Sequence, residues 1–377
     1  MLIVITSTAG GAGQLVLYLA RHLSRDLFDI HVMFGPGYPL DPEFDALGIP
    51  VTRVAFTRDL ALKPMLRGFL QVWAELRRRR YDVVCATCST AGMFGRLAGF
   101  LAGVRHRVLI IQVYAALPSH SWPRRLVFGT IEALLDRITT AYVAVSEATK
   151  RHGVAAGVLT AGKVAVIHNG VAVGDGRVGG PALRASLGLA GRPVVGFAAR
   201  LEEQKGPLIF LEAAARVRSV MPDARFVIFG EGPMLEQCRR AIADRGLGGA
   251  VILAGWRTDT ANMLESIDVL CLSSLWEQFP LSILEAMMVG RPVVATAVDG
   301  IPEAVVDGVT GLLVPPRDPE ALAGALLRVL GDPALARRMG EAGRRRALDL
   351  FTVETMVRKY EAFFRERCAT PPLATIP

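Results

Sequence analysis

Cysteine, uninterrupted apolar runs and basic residues near the start are all scarce in this sequence. The five cysteines, Cys85, Cys88, Cys238, Cys271 and Cys368, are odd in number and scattered over 377 residues. That excludes a disulfide framework and fits reduced thiols. The one CxxC, Cys85 to Cys88, has no second pair to complete a four-cysteine metal site, and Cys85 ends an apolar run. A strand end and a lone metal or redox pair are its two readings. No stretch of 18 or more apolar residues is free of charge, so no membrane-spanning helix is expected. The opening "MLIVITSTAGG" has no basic segment ahead of its apolar run, so no secretory leader is expected and a cytoplasmic location is. Aromatic residues interleaved with basic ones, as in a single-strand nucleic-acid groove, are missing as well, which argues against nucleic acid as a partner.

The length is what a single core does not fill, so two domains are the default. About half the residues are apolar and a fifth are charged, the balance of an ordinary folded protein. The net charge of +8 is uneven: residues 1–175 carry 19 Lys and Arg against 12 Asp and Glu, and the remainder 24 against 23. A basic first half points to something acidic, such as lipid head groups or an anionic polymer.

Short runs rich in β-branched residues alternate with helical stretches throughout. "LIVIT" (2–6), "DIHVMF" (29–34), "DVVCAT" (82–87), "RVLIIQV" (107–113) and "AYVAVS" (141–146) lie in the first half. "RPVVGFAAR" (192–200), "ARFVIFG" (224–230), "VILAGW" (251–256), "DVLCLSS" (268–274), "PVVATAV" (292–298) and "TGLLVPP" (310–316) lie in the second. This is the rhythm of parallel sheets with crossover helices. The glycine-rich, aperiodic stretch 169–181 reads as a linker. The expected fold is therefore α/β, with two Rossmann-like, doubly wound domains facing a cleft, one over 1–175 and one over 182–350. Two further helical stretches are expected at about 318–348 and 353–367, the second packing back on the first domain.

Parallel sheets bind ligands beyond the carboxyl ends of their strands, so functional polar residues are expected there. "SSLWEQFPLSILEAMMVGRPVVAT" (273–296) carries Glu277 and Glu285, although almost everything from Phe279 to Val294 reads as buried core. A buried carboxylate needs a partner. With Pro280 suited to a first helical position, residues 280–283 form a helix amino end, which attracts an anion such as a phosphate. Glu285 then stands roughly 6 Å along the helix axis. Carboxylates on both sides of a phosphate site suit hydroxyls, a ribose on one side and a second sugar on the other. The alternative is a capping Glu277 and a Glu285 paired with Arg291. Arg200, at a strand's carboxyl end, and Lys205, five residues on, are either phosphate ligands or a solvated loop. Gly10, Gly11 and Gly13 follow the first strand in a turn that either admits a ligand or packs tightly. They do not fit a dinucleotide fingerprint, because no third glycine stands at the required place and the second strand ends without an acidic residue.

At these residues the sequence resembles the retaining glycosyltransferases of the GT-B fold, family 4. The E-x7-E stretch "EQFPLSILE" carries the likeness, with "RLEEQKG", "FGEGP" (229–233), "AGW" (254–256), "AVSEATK" (144–150) and "HNGV" (168–171). The resemblance implies transfer of a hexose-type sugar from a nucleotide-diphosphate donor. It gives the catalytic positions as Arg200 and Lys205, on the diphosphate, and Glu277, on the hydroxyls of the transferred sugar. Backbone near Phe279, Pro280, Leu281 and Ser282 would hold the same diphosphate, and Glu285 the ribose. The base would lie near Gly230, Gly232, Trp256 and Arg257. Gly10 and Gly11 would face the diphosphate or the acceptor. It also implies that no metal or other cofactor is needed, the departing phosphate serving as base.

The chain departs from the family pattern at Ala199, where a glycine is usual, and at Gln278, where a glycine often follows the first glutamate. Where many members carry a histidine after the fourth strand, it has Gln112, Val113 and Tyr114. Tyr114 and His120 are sugar-side or acceptor-side candidates, with a solvated loop as the other reading of His120. On the acceptor side, Leu66, Phe69, Leu70, Trp73 and Leu76 recur at helical spacing before Arg77 to Arg80, and "SWPRRLVFG" adds Trp122, Arg124 and Arg125. These residues form either a face toward an anionic membrane, with a lipid-linked or polysaccharide acceptor, or the inner side of an ordinary crossover helix. A location peripheral to the inner face of the membrane follows from the first reading. A sugar-nucleotide epimerase of similar fold and a nucleotide-sugar-binding subunit active only with a partner are the alternative functions.

Overall fold

The computed structural model describes residues 1–8, 10–38, 40–57, 61–112, 122–173 and 179–369. The chain divides into two units, Met1–Asn169 with the C-terminal segment from Val353, and Gly170–Thr352. Each is built on a parallel sheet.

The first sheet comprises β1 (Leu2–Ser7), β2 (His31–Gly35), β3 (Val51–Arg53), β4 (Val83–Thr87), β5 (His106–Ile111), β6 (Ala141–Ala144) and β7 (Val164–Val166), in the order β3-β2-β1-β4-β5-β6-β7. The sequence pattern located five of these; β3 and β7 have three residues each, too few to show a period. β1, β2 and β4 to β6 are buried throughout, as helices on both faces require. Ile3 and Ile5 pack with Leu15 and Leu19 of the Gly10–His22 helix and with Tyr360 and Phe364 of the Val353–Ala369 helix. Leu2 and Val4 point the other way, toward Val72 and Leu76 of the Leu62–Arg78 helix and Ala98 of the Ser89–Leu101 helix. Cys85 lies inside β4, buried, with its thiol pushed up to about 12 by that burial. It is a core residue, as the strand-end reading has it.

The Leu62–Arg78, Ser89–Leu101 and Trp122–Asp136 helices pack side by side. Arg96 is the largest fully buried side chain and ties the last two together. Its Nη2 donates to both Glu132 oxygens at 2.8 and 2.9 Å and its Nε to the Gly92 carbonyl at 2.7 Å. A guanidinium taken out of water needs such partners. The Leu62–Arg78 helix divides the apolar residues singled out from its sequence: Leu76 is buried and Phe69 partly so, whereas Leu66, Leu70 and Trp73 are exposed, with Leu62.

The second sheet comprises β8 (Val194–Ala198), β9 (Arg225–Phe229), β10 (Val251–Gly255), β11 (Val269–Leu272), β12 (Val293–Thr296) and β13 (Gly311–Val314), in the order β10-β9-β8-β11-β12-β13. All six coincide with strands expected from the sequence. The helical stretch expected over about 318–348 comprises two helices, Pro319–Gly331 and Pro333–Leu350. Each opens on an Asp-Pro pair. Asp318 accepts from the Ala321 N–H and Asp332 from the Leu335 N–H, both at 2.9 Å, and each proline takes the first helical position. A proline lacks the N–H needed to continue the preceding helix.

Candidate functional site

In the second sheet the chain leaves the centre in two directions, β8 to β9 to β10 and β11 to β12 to β13. The loops after β8 and β11 therefore part between neighbouring strands, which is where an open parallel sheet leaves a crevice. Arg200 and Lys205 lie on the first of these loops and Glu277 on the second.

Lys205 ends a 3-10 turn, Glu203–Lys205, and Gly206 follows in the left-handed region at φ 61°. A Cβ at Gly206 would come within 2.3 Å of the Ser273 carbonyl oxygen, so only glycine lets the β8 loop lie against the β11 loop. The two loops are then joined directly. Ser273 Oγ donates to the Gly206 carbonyl at 2.9 Å, Leu275 N–H to the Gln204 carbonyl at 2.7 Å, and Gln204 Nε2 to the Trp276 carbonyl at 3.0 Å.

Glu277 is buried, and its Oε1 accepts from Lys205 Nζ and, at 3.0 Å, from Ser274 Oγ. Its backbone N–H donates to Asp299 Oδ2 at 2.8 Å. Burial of this carboxylate is thus matched by a cation and a hydroxyl. The ammonium has three donors, so one contact with Glu277 leaves two for an anion.

The Leu281–Met288 helix starts beside this pair. Pro280 stands at its cap, one position earlier than expected for a first helical residue, and no side chain caps the helix. Its amino end therefore offers N–H groups and the positive end of the helix dipole. Phe279 is buried with its ring edge-on to Phe351, centroids 5.4 Å apart, and is thus a packing group. Glu285 follows one turn into the helix, half-buried, with its carboxyl pushed up to about 7 by desolvation. The alternative of a capping Glu277 and a Glu285–Arg291 pair does not hold. Glu277 turns to Lys205, and Arg291 Nη2 donates instead to the Glu265 carbonyl at 2.7 Å.

Arg200 is exposed, 3.3 Å from Glu202 Oε2. Gly230 and Gly232 follow β9, and a Cβ at Gly230 would meet the Ala199 carbonyl oxygen at 1.9 Å, so close packing already accounts for this glycine. Trp256 and Arg257 follow β10. Trp256 is exposed, and Arg257 forms a two-pronged pair with Asp259 at 2.7 Å on each prong, which holds the Asp259 carboxyl below its ordinary range.

In the first unit, Gly10 and Gly11 open the helix after β1 and are exposed, with Gly10 at φ 75°. Gly13 is the packing glycine of that turn, since a Cβ there would fall 1.7 Å from the Thr8 carbonyl oxygen. Gln112, directly after β5, is buried and donates through Nε2 to Asn169 Oδ1 at 3.2 Å. Tyr114 and His120 lie outside the described residues. Among the described residues no three His, Cys, Asp or Glu side chains gather as metal ligands would. The sequence does not single out Gln204, Ser274 or Asp299; the Asp-Gly turn at 299–300 is the one local signal among them.

Comparison with known proteins agrees over both halves. The glycosyl transferases group 1 profile matches residues 181–346, and the glycosyltransferase family 4 profile matches residues 9–174. UDP-Gal:alpha-D-GlcNAc-diphosphoundecaprenol alpha-1,3-galactosyltransferase of Escherichia coli is 30% identical over 83% of this chain and 83% of its own. D-inositol 3-phosphate glycosyltransferase of Streptomyces avermitilis is 33% identical over 86% of this chain and 71% of its own. Anabaena Alr3699/HepE in complex with UDP superposes with a TM-score of 0.81 at 25% identity, over 97% of this chain and 99% of that one. With both sheets, the E-x7-E stretch and the family profiles in agreement, the chain belongs to the group 1, family 4 glycosyltransferases and is a glycosyltransferase of the GT-B fold.

Proposed function

We propose that the protein moves a hexose-type sugar, with retention, from a nucleotide-diphosphate donor to a lipid-linked or polysaccharide acceptor. The observation that carries this reading is the Lys205–Glu277 pair beside the uncapped amino end of the Leu281–Met288 helix. Breaking the sugar–phosphate bond leaves negative charge on the nucleoside diphosphate and positive charge at the anomeric carbon. Arg200, Lys205 and the amides of Leu281 and Ser282 offset the first of these and favour the leaving group. Glu277 Oε1 is taken by Lys205 and Ser274, while Oε2 is engaged by neither and accepts from the transferred sugar's hydroxyls. Glu285 accepts from the ribose, and the base lies by Gly230, Gly232, Trp256 and Arg257. With that charge met by the protein's own groups, the reaction needs no metal.

Two relatives support the choice of substrates. The E. coli enzyme is named for UDP-galactose and a diphosphoundecaprenol acceptor, and HepE is described in complex with UDP. A peripheral position on an anionic membrane is supported by the Leu62–Arg78 helix. Leu62, Leu66, Leu70 and Trp73 form an exposed stripe, bordered by exposed Lys63, Arg67 and Arg77. The helix's one acid, Glu75, is turned to Arg78 and Tyr81. Apolar side chains beside bases suit the boundary between head groups and acyl chains. No helix among the described residues is long and apolar enough to cross a membrane.

Calorimetry with a panel of nucleoside diphosphates and nucleotide sugars tests the donor site in the wild type and in Lys205→Ala, Glu277→Ala and Glu285→Ala. Selective binding of one donor, weakened in the variants, supports the proposal. No binding, or binding equal in all four chains, overturns it. A donor that is epimerised without any acceptor makes the protein an epimerase instead.

A further inference from the structure

We infer that Asp299 is a positioning residue for Glu277, a role that rests on the donor-site reading above. Asp299 has φ 42°, in the left-handed region, where glycine is at ease and a residue with a Cβ is strained. Aspartate tolerates the region better than most, so backbone conformation alone does not require a carboxylate there. What the carboxylate adds is a bond. Glu277 N–H donates to Asp299 Oδ2 at 2.8 Å, and the next residue, Gly300, returns an N–H to the Glu277 carbonyl at 3.2 Å. The Glu277 backbone is clasped from both sides by one turn.

The other ties on this loop stop short of Glu277. Thr296 Oγ1 donates to the Ser274 carbonyl at 2.6 Å, and Gln204 holds Leu275 and Trp276. The backbone of Glu277 itself is held through the 299–300 turn. Its side chain is the one that must meet Lys205 and Ser274 together. A shift in the peptide at Glu277 would move the carboxylate off both, whereas a binding site needs its polar groups placed within a fraction of an ångström. Asp299 thus turns a strained turn after β12 into the brace of a carboxylate after β11.

Two substitutions separate brace from backbone. Asp299→Gly suits the left-handed conformation and removes the acceptor; Asp299→Asn keeps an acceptor oxygen at the same reach. Amide hydrogen exchange at Glu277 reads the clasp directly, and hydrolysis of UDP-glucose and UDP-galactose in the absence of acceptor reads its consequence. In Asp299→Gly we expect exchange at Glu277 to quicken about tenfold or more. The kcat for hydrolysis should fall about tenfold, with KM changed less than about threefold and the melting temperature not lowered. Asp299→Asn should restore both exchange and kcat. Unchanged exchange in Asp299→Gly overturns the proposal whatever the enzyme turns over, and so does faster exchange with kcat unaltered. If the wild-type protein hydrolyses neither of these and no other nucleotide sugar of the calorimetric panel, the donor-site reading and the role resting on it fail together, and exchange at Glu277 still decides whether the clasp exists.

Discussion

Lys205 and Glu277, 72 residues apart in the chain, share a hydrogen bond in which one ammonium proton goes to Oε1. Both residues are largely buried. Removing the cation therefore has two effects. Lys205→Ala should weaken binding of a nucleoside diphosphate by ~1.5–3 kcal/mol, the size of a charged hydrogen bond. It should also destabilise the fold by about 3 kcal/mol, because Glu277 is left buried without its cation, with the Ser274 hydroxyl alone to meet it. Calorimetric titration measures the first effect and urea denaturation the second.

Glu285 should give the protein a pH signature. Its folded carboxyl keeps a proton up to about 7, against 4.5 for an open glutamate. Between those values the folded state binds more protons than the unfolded one, so this group's contribution to stability falls as the pH rises through that window and is level above it. Glu285→Gln removes the fall. In melting curves the variant should gain on the wild type as the pH rises from about 4.5 to about 7. Hydroxyl donors favour the ionised form, so nucleotide binding by the wild type should strengthen as the pH rises through about 7, and the variant should not follow.

Gly206→Ala should cost about 2 kcal/mol or more, since alanine is strained at φ 61° and its Cβ would strike the Ser273 carbonyl. The damage falls where Lys205 meets Glu277. Loss of nucleotide binding beyond the loss of stability, compared at a temperature where the variant is folded, identifies that contact as part of the site.

On the Leu62–Arg78 helix, Leu66→Ser and Trp73→Ser alter exposed positions and should leave the melting temperature almost unchanged. Together they should lower flotation with vesicles rich in anionic lipid about tenfold or more, given the apolar area removed. Arg67→Glu should weaken flotation further, and more strongly in dilute than in concentrated salt.

Much of the fold is legible in the sequence, because a parallel strand buried on both faces announces itself as an unbroken apolar run. All six strands of the second sheet are such apolar runs, although β10, at the sheet's edge, is only half-buried. β3 and β7 are not, having only three residues each. The break at Asp332-Pro333 was equally open to inspection: Asp318-Pro319 opens the preceding helix with the same pair. The Leu62–Arg78 helix could not be apportioned from its sequence. Two apolar stripes less than a turn apart look like one wide face until the neighbouring helices define which is covered.

The site divides along the same line. By itself the sequence determined the family, the two-sheet α/β architecture and the candidate site residues, because E-x7-E, "RLEEQKG" and the helix start near Pro280 are local patterns whose spacing is visible in one dimension. Only the tertiary structure decided that Lys205 pairs with Glu277, that Arg291 turns to the Glu265 carbonyl, and that Asp299 holds the Glu277 backbone. Lys205, Glu277 and Asp299 come from different loops beyond the carboxyl ends of the strands, and Arg291 and Glu265 from the opposite, amino ends of β12 and β11. Strand order brings them together, and a buried carboxylate takes whichever cation and hydroxyl the fold places within reach.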